Sequence, residues 1–295
     1  MGRRTLLGYA ALVVAALAPT AAGAQAVYME PVRARLVADV RAVEAGRPFR
    51  AGVLFEVQRG WHVYWRNPGD SGLPTKVVLG APNGFAVGTL GWPLPQRFTQ
   101  PGDLVGYGYA DRLLLAAAVT PPATLAAGST VALTADVGWL ACAQLCLRGT
   151  KQLTLALPSA PAAASDDAPA FATWAAALPI PAAEARDTVE VASHGAIPSD
   201  DTEGTVTTTL RWHTPVADVE WFPPGDRALL VAAATSRTTG DRTELVFRAR
   251  RVAGQTPDAR VLDGVVTWRT VDGGRRGVVV PLPLDATATK EGPSS

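Results

Sequence analysis

The sequence predicts an all-β protein: an immunoglobulin-like β-sandwich followed by a second, smaller β-sandwich. Three observations predict it. Apolar and polar residues alternate over short runs, as where Val32, Ala34, Leu36, Ala38 and Val40 interleave with Arg33, Arg35, Val37 and Asp39. That is the period of a strand with one buried face. Turn residues punctuate the runs: Asn67-Pro68-Gly69-Asp70, Pro82-Asn83-Gly84, Pro121-Pro122 and Ala127-Gly128. The resulting strands are short and closely spaced, which suits a sandwich better than a parallel α/β sheet.

Taken in order, residues 1–24 read as a secretory signal peptide. Arg3 and Arg4 precede the apolar run Leu6–Ala18, and Ala22-Gly23-Ala24 fits the small-x-small cleavage rule. The apolar run is short for a bilayer span. The expected destination is therefore the periplasm, as a soluble protein. Residues 25–158 form the first β-sandwich, with strand candidates at 49–57, 112–119, 130–137 and 152–157. Residues 159–186 are a Pro/Ala-rich linker in which "FATWAAALP" supplies one or two helical turns, with Phe171 and Trp174 packing at i and i+3. From Thr188 the strand pattern returns, so residues 187–285 form the second sandwich, with Trp212, Trp221 and Trp268 assigned to its core. Residues 286–295 form a disordered tail. A net charge of +1 with scattered basic residues favours neither nucleic acid nor an anionic membrane surface.

One tetrapeptide invites an enzymatic reading. Gly69-Asp70-Ser71-Gly72 is the sequence around the nucleophile of trypsin-like proteases. A serine nucleophile needs a base and an orienting acid. His62 lies only nine residues upstream, and the other histidines are His194 and His213. Leu73 stands where the protease motif has Gly. The loop instead reads as turn chemistry, with Asp70 and Ser71 able to accept from nearby backbone N–H groups.

The chemistry-bearing pair is Cys142 and Cys146 in "DVGWLACAQLCLRG", the two cysteines of the chain. In a secreted protein an even count implies a disulfide. As a staple it closes a short loop, where chain-entropy estimates give about 2 kcal/mol against about 4.7 for a hundred-residue loop. Three readings stand open on the residues alone: a staple, a redox-active pair, and a two-thiolate metal site that would need ligands from elsewhere. Trp139 and Leu140, just before Cys142, supply an apolar wall for a redox pair or ordinary core.

Ordered blocks of rare residues add a resemblance. "GWHVYWRNPGDSGLPT", "GWPLPQRF", "GYGYADRLLLAAAVT" and "ADVGWLACAQLC" follow one another as in the periplasmic N-terminal domain of the DsbD/ScsB thiol:disulfide interchange proteins. The resemblance covers residues 55–158 well and the second β region loosely. It implies an immunoglobulin-like fold without organic cofactor; the family's larger members continue into a membrane domain and a thioredoxin-like domain, so the expectation for this chain is a stand-alone form of the module. It implies Cys142 and Cys146 as the redox pair, with Cys146 the attacking sulfur. A separate membrane electron donor and thioredoxin-like periplasmic proteins are the implied partners. It further implies a cap over the sulfurs at residues 102–109, with Tyr107 and Tyr109 as its covering side chains. Trp61, Tyr64, Trp65 and Asp70 would then sit beside the site, with Asp70 acting on thiol acidity. The alternative is a non-catalytic β-sandwich adaptor with a structural disulfide. The ScsB branch is associated with copper tolerance, which keeps a copper-binding role as a lesser alternative.

Overall fold

The computed structural model describes residues 30–283 except 101, 195–196, 198–202, 227, 233 and 257–260. The proposed signal peptide and the tail lie outside the described residues. In chain order the first strands are β1 (Val32–Ala38), β2 (Phe49–Val57), β3 (His62–Gly69), β4 (Lys76–Gly80) and β5 (Ala86–Val87). They are followed by β6 (Gln96–Gln100), β7 (Leu104–Ala110), β8 (Arg112–Thr120), β9 (Thr130–Cys142) and β10 (Cys146–Pro158). Helix α1 (Ala168–Ala176) and β11 (Ile180–Pro181) precede β12 (Val189–His194), β13 (Gly204–Trp212), β14 (Ala217–Phe222) and β15 (Leu229–Val231). The last strands are β16 (Thr235–Thr239), β17 (Arg242–Arg251), β18 (Val261–Arg269) and β19 (Arg275–Pro283).

Alternation decides the packing. In β9 the buried residues Val131, Leu133, Ala135, Val137, Trp139 and Ala141 fall at every second position, so one face turns to a partner sheet. One sheet runs β1-β2-β8-β5; the facing one runs β10-β9-β3-β7-β6, with β4 also on β9. Phe55 of the first meets Trp139 of the second edge-to-face, with ring centroids 5.9 Å apart. The two sheets thus close one core. A second pair, β11-β19-β18-β14 and β12-β13-β17-β15 with β16 on β17, closes around Trp212, Trp221, Phe247 and Trp268. The fold is all-β, in sandwiched sheets.

Two features depart from the sequence reading. Strands β9 and β10 run 13 residues each and carry their ladder up to the cysteines, beyond the 130–137 and 152–157 expected. The alternation continues through Trp139 and Ala141, which the motif had masked. The Pro/Ala segment after Pro158 is not a loose linker. Arg41 and Val43 donate backbone N–H groups to Ala163 and Pro158, Ala160 donates back to Val43, and the Ser165 hydroxyl donates to Ala38. Backbone groups pair whatever the side chains are, and this segment follows the chain just beyond β1. It delivers α1 to the outer face of the first sheet, where fully buried Phe171 packs on Val37, Leu54 and Leu114.

Candidate functional site: a hairpin-tip disulfide

Cys142 ends β9 and Cys146 begins β10, and they are directly opposed in the antiparallel register. The three residues between them, Ala143, Gln144 and Leu145, are all exposed. Their sulfurs are bonded, with Cα atoms 4.1 Å apart. The pair is asymmetric in access. Cys142 is 3% exposed, whereas Cys146 stands at the surface beside Leu145, itself 51% exposed. One sulfur-bearing residue is thus open to an incoming thiolate and the other is held inside, a geometry that permits attack at one end only.

Residues directly opposite in a sheet share a face. Cys142 is opposite His62 of β3, so the face carrying the cystine also carries His62 and, two positions on, Tyr64. On β6 the same face carries Phe98, which stacks on the His62 ring at 4.6 Å with 15° between planes. His62 also meets Tyr64 edge-to-face at 5.1 Å. Gln100 ties the group together. Its Nε2 donates to Tyr64 Oη at 2.6 Å and lies 3.3 Å from His62 Nε2. Its carbonyl accepts from the Ser71 hydroxyl. Burial lowers the His62 pKa and raises that of Tyr64, although its hydrogen bonds to Gln100 and Ser71 partly oppose the latter shift. Both groups are thereby held neutral.

Ser71 is bonded to an amide, and Gln100 is interposed between it and His62, so the Gly69–Gly72 loop lacks a nucleophile–base contact. The glycines serve shape. Gly72 has φ +100°, and a Cβ there would lie 2.4 Å from the Tyr64 ring. Asp70 accepts from the Val105 N–H at 2.8 Å and donates its own N–H to the Val105 carbonyl, stitching the loop to β7.

The alternation also corrects the expected neighbours of the cystine. Tyr109 is opposite Val63 and Tyr107 is opposite Arg97, one position out of phase with the cystine face. Both tyrosines point into the core, 5% and 4% exposed. Tyr109 donates to the Pro93 carbonyl at 2.7 Å, and burial raises its pKa far above the usual phenol range. Tyr107 meets Phe222 at 5.3 Å. The cap expected at residues 102–109 is therefore strand β7, with its aromatics turned inward. Trp139 and Trp65 fall on the same inward face, and Trp61 is likewise core. Asp70 is engaged with backbone of β7 and is not brought to the sulfurs by any contact. Phe98 and Gln100 are not singled out by the sequence, and His62 is singled out there only as a candidate protease base. The signal was present as the i, i+2 spacing of His62 with Tyr64 and of Phe98 with Gln100.

No curated protein matches the chain. Residues 29–158 match the family model described as thiol:disulfide interchange protein DsbD, N-terminal. Among solved structures, the N-terminal periplasmic domain of ScsB from Proteus mirabilis matches with a TM-score of 0.62 at 16% identity, covering 88% of this chain and 97% of that one. A protein of unknown function from Porphyromonas gingivalis W83 matches at 12% identity over 86% of this chain and 100% of that one, with a TM-score of 0.24. The ScsB likeness carries the fold across both pairs of sheets, and the family model carries the region that holds the cystine. Residues 29–158 are therefore similar to the N-terminal domain of DsbD-type thiol:disulfide interchange proteins.

Proposed function

We propose that the protein passes electrons between a membrane reductase and thioredoxin-like proteins of the periplasm, through Cys142 and Cys146. The observation that carries this reading is the asymmetric cystine: exposed Cys146 bonded to buried Cys142 at a hairpin tip, within a DsbD-type domain. Residues 1–24 would direct export, residues 25–158 would be the exchange unit and residues 187–285 a second unit. Among the described residues no helix is long and apolar enough to cross a membrane; in this reading the electron donor is a separate membrane protein.

The exchange balances as follows. In the reduced module the Cys146 thiolate attacks one sulfur of a partner disulfide. A Cys146–partner bond forms, the partner's S–S bond breaks, and the departing partner thiolate takes up a proton. The Cys142 thiol then loses its proton, and its sulfur attacks Cys146. The mixed disulfide breaks and the partner's second thiolate is protonated. The partner has gained two electrons and two protons, and the module is left as the observed cystine. A membrane dithiol of lower potential resets it, with about 30 mV corresponding to 1.4 kcal/mol. The residue opposite Cys142 is His62, backed by Phe98 and Tyr64, in the place expected of Tyr107 and Tyr109.

The test is a Cys142→Ser variant incubated with oxidised thioredoxin-like protein. A covalent adduct through Cys146, released by dithiothreitol, is the expected result. If no adduct forms, and the wild-type cystine resists reduced thioredoxin-like donors, the bond is a staple and the adaptor reading stands.

A further inference from the structure

The second pair of sheets reaches the loop that builds the cystine face. Just past the regular part of β3, the Asn67 amide donates to the carbonyls of Pro223 and Pro224 at 3.0 and 3.2 Å. Its oxygen accepts from the Gly69 N–H at 2.9 Å. One side chain thus holds both the turn after β14 and the first residue of the Gly69–Gly72 loop. Neighbouring Arg66 donates to the Asp263 carbonyl of β18 at 2.7 Å. The fit is close: a Cβ on Gly225 would come within 2.8 Å of the Arg66 carbonyl and 3.0 Å of Asn67 Cβ. Phe222 extends the attachment into the first core, against Trp65 and Tyr107 at 6.1 and 5.3 Å.

From Gly69 the contacts continue without a gap. Asp70 is bonded to Val105, Ser71 donates to Gln100, and Gln100 reaches Tyr64 and His62, the residue opposite Cys142. The loop leaves the β3–β7 ladder after the Gly69–Gly106 pair and has positive φ at both of its glycines, so beyond Asp70 its position is set by the side chains it is tied to.

We infer that the second pair of sheets is a working part of the site, and that Asn67 is the positioning residue through which it sets the reactivity of the cystine. This rests on the exchange reading for its biological meaning, but its test does not. The variant Asn67→Asp keeps an oxygen for the Gly69 N–H and replaces the donor facing Pro223 and Pro224 with a carboxylate oxygen that their carbonyls repel. The readouts are the second-order rate of cystine reduction by dithiothreitol, which needs no protein partner, and the equilibrium with glutathione. In N67D the loop and Gln100 relax, the leaving Cys142 sulfur is better solvated, and reduction accelerates at least fivefold. Leu245→Ala, deep in the second core, lowers the unfolding temperature but leaves the rate within twofold of wild type. Ser71→Ala accelerates reduction as N67D does, and the double variant goes no further than either. Should N67D not fold, Asn67→Ser takes its place, with an oxygen for the loop but no amide to span to the prolines. The inference is overturned if the Asn67 variant reduces at the wild-type rate, if L245A accelerates it equally, or if the N67D and S71A effects multiply. Failure of wild type to exchange with thioredoxin-like proteins would remove the exchange reading and leave this comparison intact.

Discussion

At the scale of the residue, the site depends on which side of a strand a side chain takes. His62 and Tyr64 face the cystine, whereas Val63 and Trp65 between and beyond them lie in the core. His62 is 9% exposed and stacked on Phe98, and burial holds its pKa below the ordinary 6.5. The sign follows directly. As pH falls below 6.5 the unfolded chain takes up the proton before the folded one does, so unfolding is favoured. The contribution of the neutral imidazole is present above that value and is lost as pH falls through the folded pKa. The urea midpoint of wild type should therefore drop between about pH 7.5 and 5.5, and His62→Gln should drop less. An equal drop in the two proteins would show that His62 is not the responsible group.

At the scale of the element, the β9–β10 hairpin is held by a thirteen-residue register and a disulfide at its tip. The ladder and the buried alternation of β9 do not need the bond. A loop this short constrains the unfolded chain by about 2 kcal/mol. A Cys142→Ala/Cys146→Ala variant should stay folded, with its unfolding temperature lowered by roughly 4–8 °C, read by circular dichroism. Collapse of the β signal in that variant would make the cystine a structural staple and end the electron-carrier reading. Helix α1 is attached in a comparable, peripheral way. Asp167 accepts both Arg35 guanidinium nitrogens, and that pairing lowers its pKa. Its exposure limits the pair to about 0–1 kcal/mol.

At the scale of the whole molecule, the two pairs of sheets share apolar contact. Phe222 of β14 and Val265 of β18 belong to the core closed by the first pair. Arg275 lies 5.5 Å over the Phe222 ring, paired with Glu220. Burial lowers the pKa of both Arg66 and Arg275, so this contact keeps water from two cations as well as from aromatic rings. A side chain that bridges two cores couples their unfolding. Wild type should melt in one calorimetric transition. Phe222→Ala, at a cost of about 3–5 kcal/mol, should separate it into two. A single transition that merely shifts would mean that the cores unfold together for another reason.

By itself the sequence determined the all-β class, the pairing of its cysteines and the likeness of residues 55–158 to DsbD-type N-terminal domains. These follow from local alternation, from a count of two and from ordered blocks, none of which requires distant contacts. Only the tertiary structure decided which aromatics line the cystine. A one-position phase difference sends Tyr107 and Tyr109 inward and leaves His62 beside Cys142, and phase is fixed by the register between strands far apart in the chain. It likewise decided that Asn67 meets Pro223 and Pro224, because a hydrogen bond across more than 150 residues has no local signature for a sequence to display.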